Sequence, residues 1–231
     1  MVERVLVVAA HPDDEVLGLG GTLARHVASG DEVHILILAD GETARAESGN
    51  TPDFAAEIEA RMQAAREAAR VIGANDPYFA GCPDNRMDEL PLLDIIKCVE
   101  DRVTTLAPTI VYTHHAGDLN IDHRLTRQAV ATACRPLPRA PVRAIYAFET
   151  VSSTEWAEPG ASPFIPNRFV DIEPYLEIKR RALDAYRREM RPFPHARSHE
   201  RVEALARDRG ASVGLSAAEA FMVVREIARQ E

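Results

Sequence analysis

Val5 to Ala10 is an unbroken apolar run rich in valine, the pattern of a strand covered on both faces. "GGTLARHVASG" follows with helical spacing and stops at Gly30, a residue type that ends helices. "DEVHILILAD" is a second buried strand. Strand, helix and strand joined by short links make a βαβ unit, so the sheet is parallel and the crossover right-handed. The alternation continues: a long Ala-rich helix over 52–74, a strand in "DPYFAG", an amphipathic helix in "LPLLDIIKCVEDRVTTLA", a strand in "PTIVYTHH", a helix in "IDHRLTRQAVATACRP" and a strand in "VRAIYAFET". This order predicts an α/β fold, an open, mostly parallel, doubly wound Rossmann-like sheet with helices on both faces.

The texture changes after Thr150. "SSTEWAEPGASPFIPNRF" has no period and is rich in Pro, Ser and Gly, which predicts a long loop of the kind that often carries function. "DIEPYLEIKRRALDAYRREM" reads as a helix, and "SHERVEALARDRGASVGLSAAEAFMVVREIARQE" as two helical pieces around "GASVG". The expectation is one domain over residues 1–231, with an α/β core over 1–150 and a loop plus helical elaboration over 151–231. No Pro/Gly-rich linker divides the chain.

Composition narrows the class. The 231 residues carry 27% charged and 46% hydrophobic side chains, ordinary for a soluble globular protein. No apolar stretch is long enough for a membrane span, and acidic Glu3 near the start argues against a signal peptide; a cytoplasmic enzyme is expected. Cys82, Cys98 and Cys134 are odd in number and never form a C-x-x-C pair, so they read as small apolar residues and not as a disulfide or thiolate-metal framework. A net charge of −9 argues against a nucleic-acid partner, which needs a basic face. The locally basic "YRREMRPFPHARSHER" reads as a solvated helix end and loop, with contact to an anionic substrate as the alternative.

The candidate chemistry sits where strands end. In open α/β sheets ligands bind outside the carboxyl ends of the strands. After the first strand come His11, Asp13, Asp14 and Glu15; after the second come Asp40 and Glu42; after the strand ending near Thr113 come His114, His115, Asp118, Asn120, Asp122 and His123. Carboxylates so close together repel, and each prefers water, so a cation is implied. His11 and Asp14, three apart on a turn stiffened by Pro12, both reach one ion. One ligand from the later loop completes a His–Asp–His set with a position left for water, which suits catalytic zinc and also non-haem Fe(II). Asp13 is left beside the metal, able to take a proton from water. A nucleotide-binding reading of "GLGGT" is weak: the acidic turn separates it from the strand and would repel a pyrophosphate.

"AHPDDEVLGLGG" and "HHAGDLNIDHR" resemble the PIG-L / LmbE-like family of zinc-dependent N-acetylglucosaminyl deacetylases, and "LADGE", "PDNRMDELPL", "FETVSSTEW" and "RSHERVEALARDRG" extend the resemblance along nearly the whole chain. The resemblance implies Zn2+, with Fe2+ as the alternative, held by His11, Asp14 and His123. It makes Asp13 the general base and Asp122 the residue that orients His123. The substrate it implies is an N-acetylated amino-sugar conjugate; an amidase on a non-sugar or thiol-conjugate amide would share the same metal site. Asn120 stands where the family often has a histidine; its amide donates a hydrogen bond but no proton. Substrate contacts are expected from Arg61, Arg86, His115, Asp118 and Glu149, although Arg61 reads first as a solvated surface arginine and Trp156 as a sugar platform or a loop anchor. Folds of this kind often assemble, so a homo-oligomer is expected.

Overall fold

The computed structural model describes residues 2–45, 54–158, 160 and 162–228. Residues 52 and 53 of the helix predicted over 52–74, residues 159 and 161 of the long loop, and 229–231 lie outside the described residues. In chain order the elements are β1 (Arg4–Ala9), α1 (Asp14–Ala28), β2 (Glu32–Ala39), α2 (Ala55–Ile72), β3 (Tyr78–Cys82), α3 (Leu92–Leu106), β4 (Ile110–His114), α4 (Ile121–Ala133), β5 (Ala144–Phe148), β6 (Arg168–Asp171), α5 (Leu176–Ala185), α6 (His199–Ala211) and β7 (Ala218–Glu226). They build one seven-stranded sheet in the order β3-β2-β1-β4-β5-β7-β6. The first five strands are parallel; β7 runs antiparallel to both β5 and β6.

The β1 run explains the layering. Val5, Val7 and Ala9 face one apolar layer, shared with α1, α2, α5 and α6; Leu6 and Val8 face the other, shared with α3 and α4. Side chains alternate across a strand, so a continuous apolar run fills two cores at once. β1 lies between β2 and β4, and the chain leaves β1 toward one face and β4 toward the other. That is the switch point of a doubly wound sheet, where the two loops part and leave a crevice.

Two differences from the sequence reading have physical causes. Helix α1 starts at Asp14 and not at Gly20, so the acidic turn is its first turn, where the helix dipole favours negative charge. Gly18 and Gly21 are packing residues: a Cβ at Gly18 would meet the Phe148 ring at 2.4 Å, and one at Gly21 would meet Ile172 at 2.8 Å. The second difference lies at the C-terminal end. α5 and α6 are helices as expected, but Ala218–Glu226 is the strand β7, and Arg168–Asp171 adds the edge strand β6 across the end of the segment read as loop and the first residue of the one read as helix. Ala and Glu favour helix; the sheet overrides them by pairing β7 on both sides. Glu219 is buried within β7 and takes the backbone N–H groups of Gly21 and Thr22 at 3.0 and 2.6 Å and Lys179 Nζ at 2.6 Å, so it fastens the strand to α1 and α5.

Cys82 and Cys134 are buried in the layer under α3 and α4, Cys98 is half-buried, and all are free thiols. Among the described residues no helix is long and apolar enough to cross a membrane. Gly18→Ala forces a methyl into the Phe148 ring; the expected loss is about 1–3 kcal/mol, the usual range for overpacking, read as a lower urea midpoint with an unchanged slope.

Candidate metal centre

Where β1 ends, the chain turns at once into α1. The turn is closed by the Asp14 N–H on the His11 carbonyl at 3.3 Å and by the His11 N–H on Asp14 Oδ2 at 2.9 Å. Across the crevice, Asn120 caps α4, its Oδ1 accepting the Asp122 N–H at 2.8 Å, and this sets His123 in the first helical turn. His11 Nδ1, Asp14 Oδ2 and His123 Nε2 converge: the edges of the triangle are 3.3 Å (His11–Asp14), 3.2 Å (His123–Asp14) and 3.3 Å (His123–His11). Ligands bound at about 2.1 Å around a tetrahedral metal stand about 3.4 Å apart. The donor set of two imidazoles and one carboxylate fits zinc or Fe(II). Asp13 Oδ1 and Asp14 Oδ1 are buried with no hydrogen-bond partner, a costly state for carboxylate oxygens that a cation relieves. These residues fit a divalent metal ion.

Each imidazole is backed by carboxylates on its far side. His11 Nε2 lies 3.1 Å from Asp122 Oδ2 and 3.2 Å from Asp84 Oδ1. Asp122 is fixed in turn by the N–H groups of Asn85 and Met87 at 2.7 and 3.1 Å. His123 Nδ1 lies 3.1 Å from Asp118 Oδ1, and Asp118 accepts hydrogen bonds from Ser153 Oγ, from Thr154 Oγ1 at 2.6 Å and from the Asn120 N–H at 2.9 Å. This corrects the expected pairing. Asp122 backs His11, not His123, because consecutive residues of a helix point about 100° apart and do not face each other. Asp118, read as a substrate contact, is the residue behind His123.

The electrostatics follow. Asp13, Asp14, Asp84, Asp118 and Asp122 are all buried. Burial opposes a charge on His11, but Asp122, Asp14 and Asp84 outweigh it and hold its pKa well above the ordinary imidazole value. The same contest on His123, with Asp14 and Asp118 opposing burial, raises it to about 9. Thus, without a cation, the cluster draws protons onto its histidines. His114 behaves oppositely: burial and the neighbouring His123 push it down to about 3. Its Nε2 accepts the Ala10 N–H at 2.9 Å, which fixes the neutral ring's proton on Nδ1, and the ring stacks on His123 with centroids 3.9 Å apart. It ties the ends of β1 and β4 together as a neutral platform.

Asp13 is the N-cap residue of α1, with φ of 124°, a backbone conformation that side-chain-bearing residues rarely take. Its Oδ2 accepts a hydrogen bond from Arg197 Nη1 at 2.8 Å. Glu15, buried behind it, accepts from Tyr186 Oη at 2.5 Å and from the Asp13 N–H at 3.1 Å, and burial lifts its carboxyl to about 7.

The remaining expected contacts divide. Asn120 spends Oδ1 on the helix cap and donates through Nδ2 to Asn85 Oδ1 at 2.8 Å. Arg61 is buried, not on the surface, with Nη1 2.7 Å from Glu189 and Nε 3.3 Å from Glu42. Arg86 is exposed and paired with Glu89. Glu149 is held by both Nε and Nη2 of Arg209 at 2.8 and 2.7 Å. His115 lies buried with Nε2 2.7 Å from the Ser162 carbonyl, and Trp156 is half exposed beside His195. Sequence reasoning missed Asp84, Tyr186, Glu189 and above all Arg197. Arg197 was signalled only by the basic run that contains it and by its place at the start of the family-like segment "RSHERVEALARDRG".

A family model described as "PIG-L: GlcNAc-PI de-N-acetylase" matches residues 6–134, more than half of the chain and all of its candidate ligands. The chain belongs to the PIG-L family. Two relatives are similar over most of their length. The uncharacterized deacetylase YaiS of Escherichia coli (strain K12) is 30% identical over 189 residues, covering 79% of this chain and 90% of the relative. The probable N-acetyl-alpha-D-glucosaminyl L-malate deacetylase 2 of Bacillus anthracis is 31% identical over 190 residues, with 79% and 80% covered. The crystal structure of the conserved protein TT1542 from Thermus thermophilus superimposes with a TM-score of 0.75 at 27% identity, over 99% of this chain and 98% of that one. In this PIG-L member, Asp122→Ala removes the acceptor behind His11 and orphans the Asn85 and Met87 N–H groups. Metal affinity is expected to fall about 10–100-fold, the usual effect of losing a carboxylate behind a ligating histidine, measured by competition with a chelator.

Proposed function

We propose that the chain is a zinc-dependent hydrolase, with Fe(II) as the alternative metal, that removes the acetyl group from an N-acetylglucosamine-type amino sugar carried on a larger conjugate. The observation that carries the reading is the buried triangle of His11 Nδ1, Asp14 Oδ2 and His123 Nε2, with edges of 3.2–3.3 Å, beside the unpartnered Oδ1 of Asp13. The sugar comes from the family description and from the named activity of the Bacillus relative.

His11, Asp14 and His123 would hold the metal, which when bound acidifies water and polarises the amide carbonyl. Asp13 acts with the oxygen that Arg197 leaves free: Oδ1 takes the proton of the attacking water, and the same carboxyl returns it to the amine as acetate leaves. The other nearby groups are poorly placed for that second transfer. His114 is neutral, enclosed and stacked on a ligand, the His115 Nε2 faces a backbone carbonyl, and Asn120 has no acidic proton. Asp13 therefore works in both directions. Asp118 and Asp122 keep the imidazoles in the tautomer that binds a metal.

The test pairs elemental analysis with release of free amine from N-acetylglucosamine, a nucleotide-linked form and a malate-linked form. About one metal per chain, and amine release that disappears with chelator and returns with zinc, is the expected result. Asp13→Asn keeps the metal and loses about 100–10,000-fold in kcat, the range of a general base. Metal bound with no amine from any sugar would instead support an amidase on a thiol-conjugate or other non-sugar amide.

A further inference from the structure

Asp13 is a buried carboxylate with one side-chain hydrogen-bond partner among the described residues. Arg197 Nη1 donates to Oδ2 at 2.8 Å, while Oδ1 is enclosed and unpartnered. Arginine ordinarily meets a carboxylate with two parallel hydrogen bonds, which would consume both oxygens. Here the fork is divided. Arg197 Nε donates to Ser152 Oγ at 2.8 Å, and Nη1 also lies 3.6 Å from Glu189. The Ser152 N–H is held by Glu155 at 2.7 Å, so the serine that turns the fork is itself fixed.

The arginine stands on a firm base. Its carbonyl accepts the Arg191 N–H at 3.0 Å, its own N–H donates to His195 Nδ1 at 3.0 Å, and the next residue, Ser198, caps α6 by accepting the Arg201 N–H at 3.1 Å. The guanidinium is therefore delivered by a closed loop and a helix start, 184 residues away from Asp13 in sequence. Against it stand the negative neighbours Asp14 and Glu189 and the positive Arg61. Nothing else among the described residues' hydrogen bonds holds the Asp13 side chain.

We propose that Arg197 is the positioning residue for Asp13: by binding Oδ2 alone, with its Nε turned away to Ser152, it fixes the carboxylate so that Oδ1 stays bare and faces the reacting water. The proposal rests on the hydrolase reading for its consequence, but the geometry it asserts is independent of any activity. It also gives the basic run around residue 197 an inward role, toward the base and not toward solvent.

Arg197→Met, Arg197→Lys and Ser152→Ala are compared with the native chain by metal content, steady-state kinetics and crystal structures of the metal-loaded proteins. For Arg197→Met we expect about one metal per chain and KM changed by less than about threefold. We expect kcat lower by about 100-fold, the size of effect that misplacing a reacting group by 1 Å produces, and partial recovery on adding guanidinium ion. In its crystal structure the Asp13 carboxylate is rotated from its native position. Arg197→Lys restores one contact without the Ser152 bond and falls between the two; it serves as the variant to read if Arg197→Met does not fold. Ser152→Ala lowers kcat about tenfold or less, as loss of one such hydrogen bond does. For Arg197→Met, an unmoved Asp13 or kcat within threefold of native overturns the proposal, as does a loss of activity that tracks loss of metal and is not recovered by guanidinium. If the native protein hydrolyses no amide, the hydrolase reading fails, and the position of Asp13 in the crystals still decides the role of Arg197.

Discussion

Five buried carboxylates around three histidines set the terms for the rest of the molecule. Two like charges 4 Å apart repel by roughly 4 kcal/mol at an effective dielectric of 20, and burial adds a cost for each charge. The structure answers this locally. Asp122 is tied to two backbone N–H groups, Asp118 to two hydroxyls and an N–H, and Asp14 to the His11 N–H. Asp13 relies on a charged side chain from a distant segment. What these partners leave unsatisfied is concentrated on one oxygen each of Asp13 and Asp14, the oxygens with the most to gain from a cation and from a proton.

The fold supplies the same answer at longer range. α1 and α4 both begin at the site, Asp14 being the first residue of one and Asp122 the second of the other, so two positive helix ends are aimed at the acidic cluster. They meet because β1 and β4 are neighbours in the sheet while their helices leave to opposite faces. His114 joins the two strand ends through the Ala10 N–H. The crevice of a doubly wound sheet is usually described as a place for ligands; here it is also a place where an otherwise unfavourable density of acids is made tolerable.

How much could be read in advance depends on how local each signal was. The five parallel strands and their helices follow from periodicity within short windows, and the acidic turn after β1 showed itself by its own improbability. Asp118 and Asp122 were both visible, yet Asp122 was paired with His123 and not His11, because sequence adjacency to His123 counts against contact once the segment is helical, and Asp118 was read as a substrate contact and not as the partner of His123. β7 was read as helix because its Ala and Glu residues report local propensity, whereas its state is decided by pairing with β5 and β6 and by the burial of Glu219 against Lys179. Arg61 and Arg197 look in the sequence like many other arginines; their importance comes from Glu42, Glu189 and Asp13, brought near only by the completed fold.

The candidate metal ligands lie early in the chain, and Arg197, which holds Asp13, lies late. The family match ends at residue 134 and takes in His11, Asp13, Asp14, Asp118, Asp122 and His123. Several of the groups around Asp13 on its other side come later, Arg197 and Glu189 among them, while Arg61 lies within the match. A cavity of about 240 Å³ is bounded by Ser152, Trp156, Glu189, Arg191, His195 and Arg197, and one of about 330 Å³ has Glu42, Arg61, Tyr186 and Glu189 among its walls. Glu189 belongs to both, and it also pairs with Arg61 and approaches Arg197. In the reading proposed, the segment from 150 to 198 therefore has two tasks, to hold the base and to shape the space where the conjugate lies. In that reading a different conjugate is accommodated at Trp156, Arg191 or His195 without disturbing a metal ligand, whereas a change at Arg197 acts on the base.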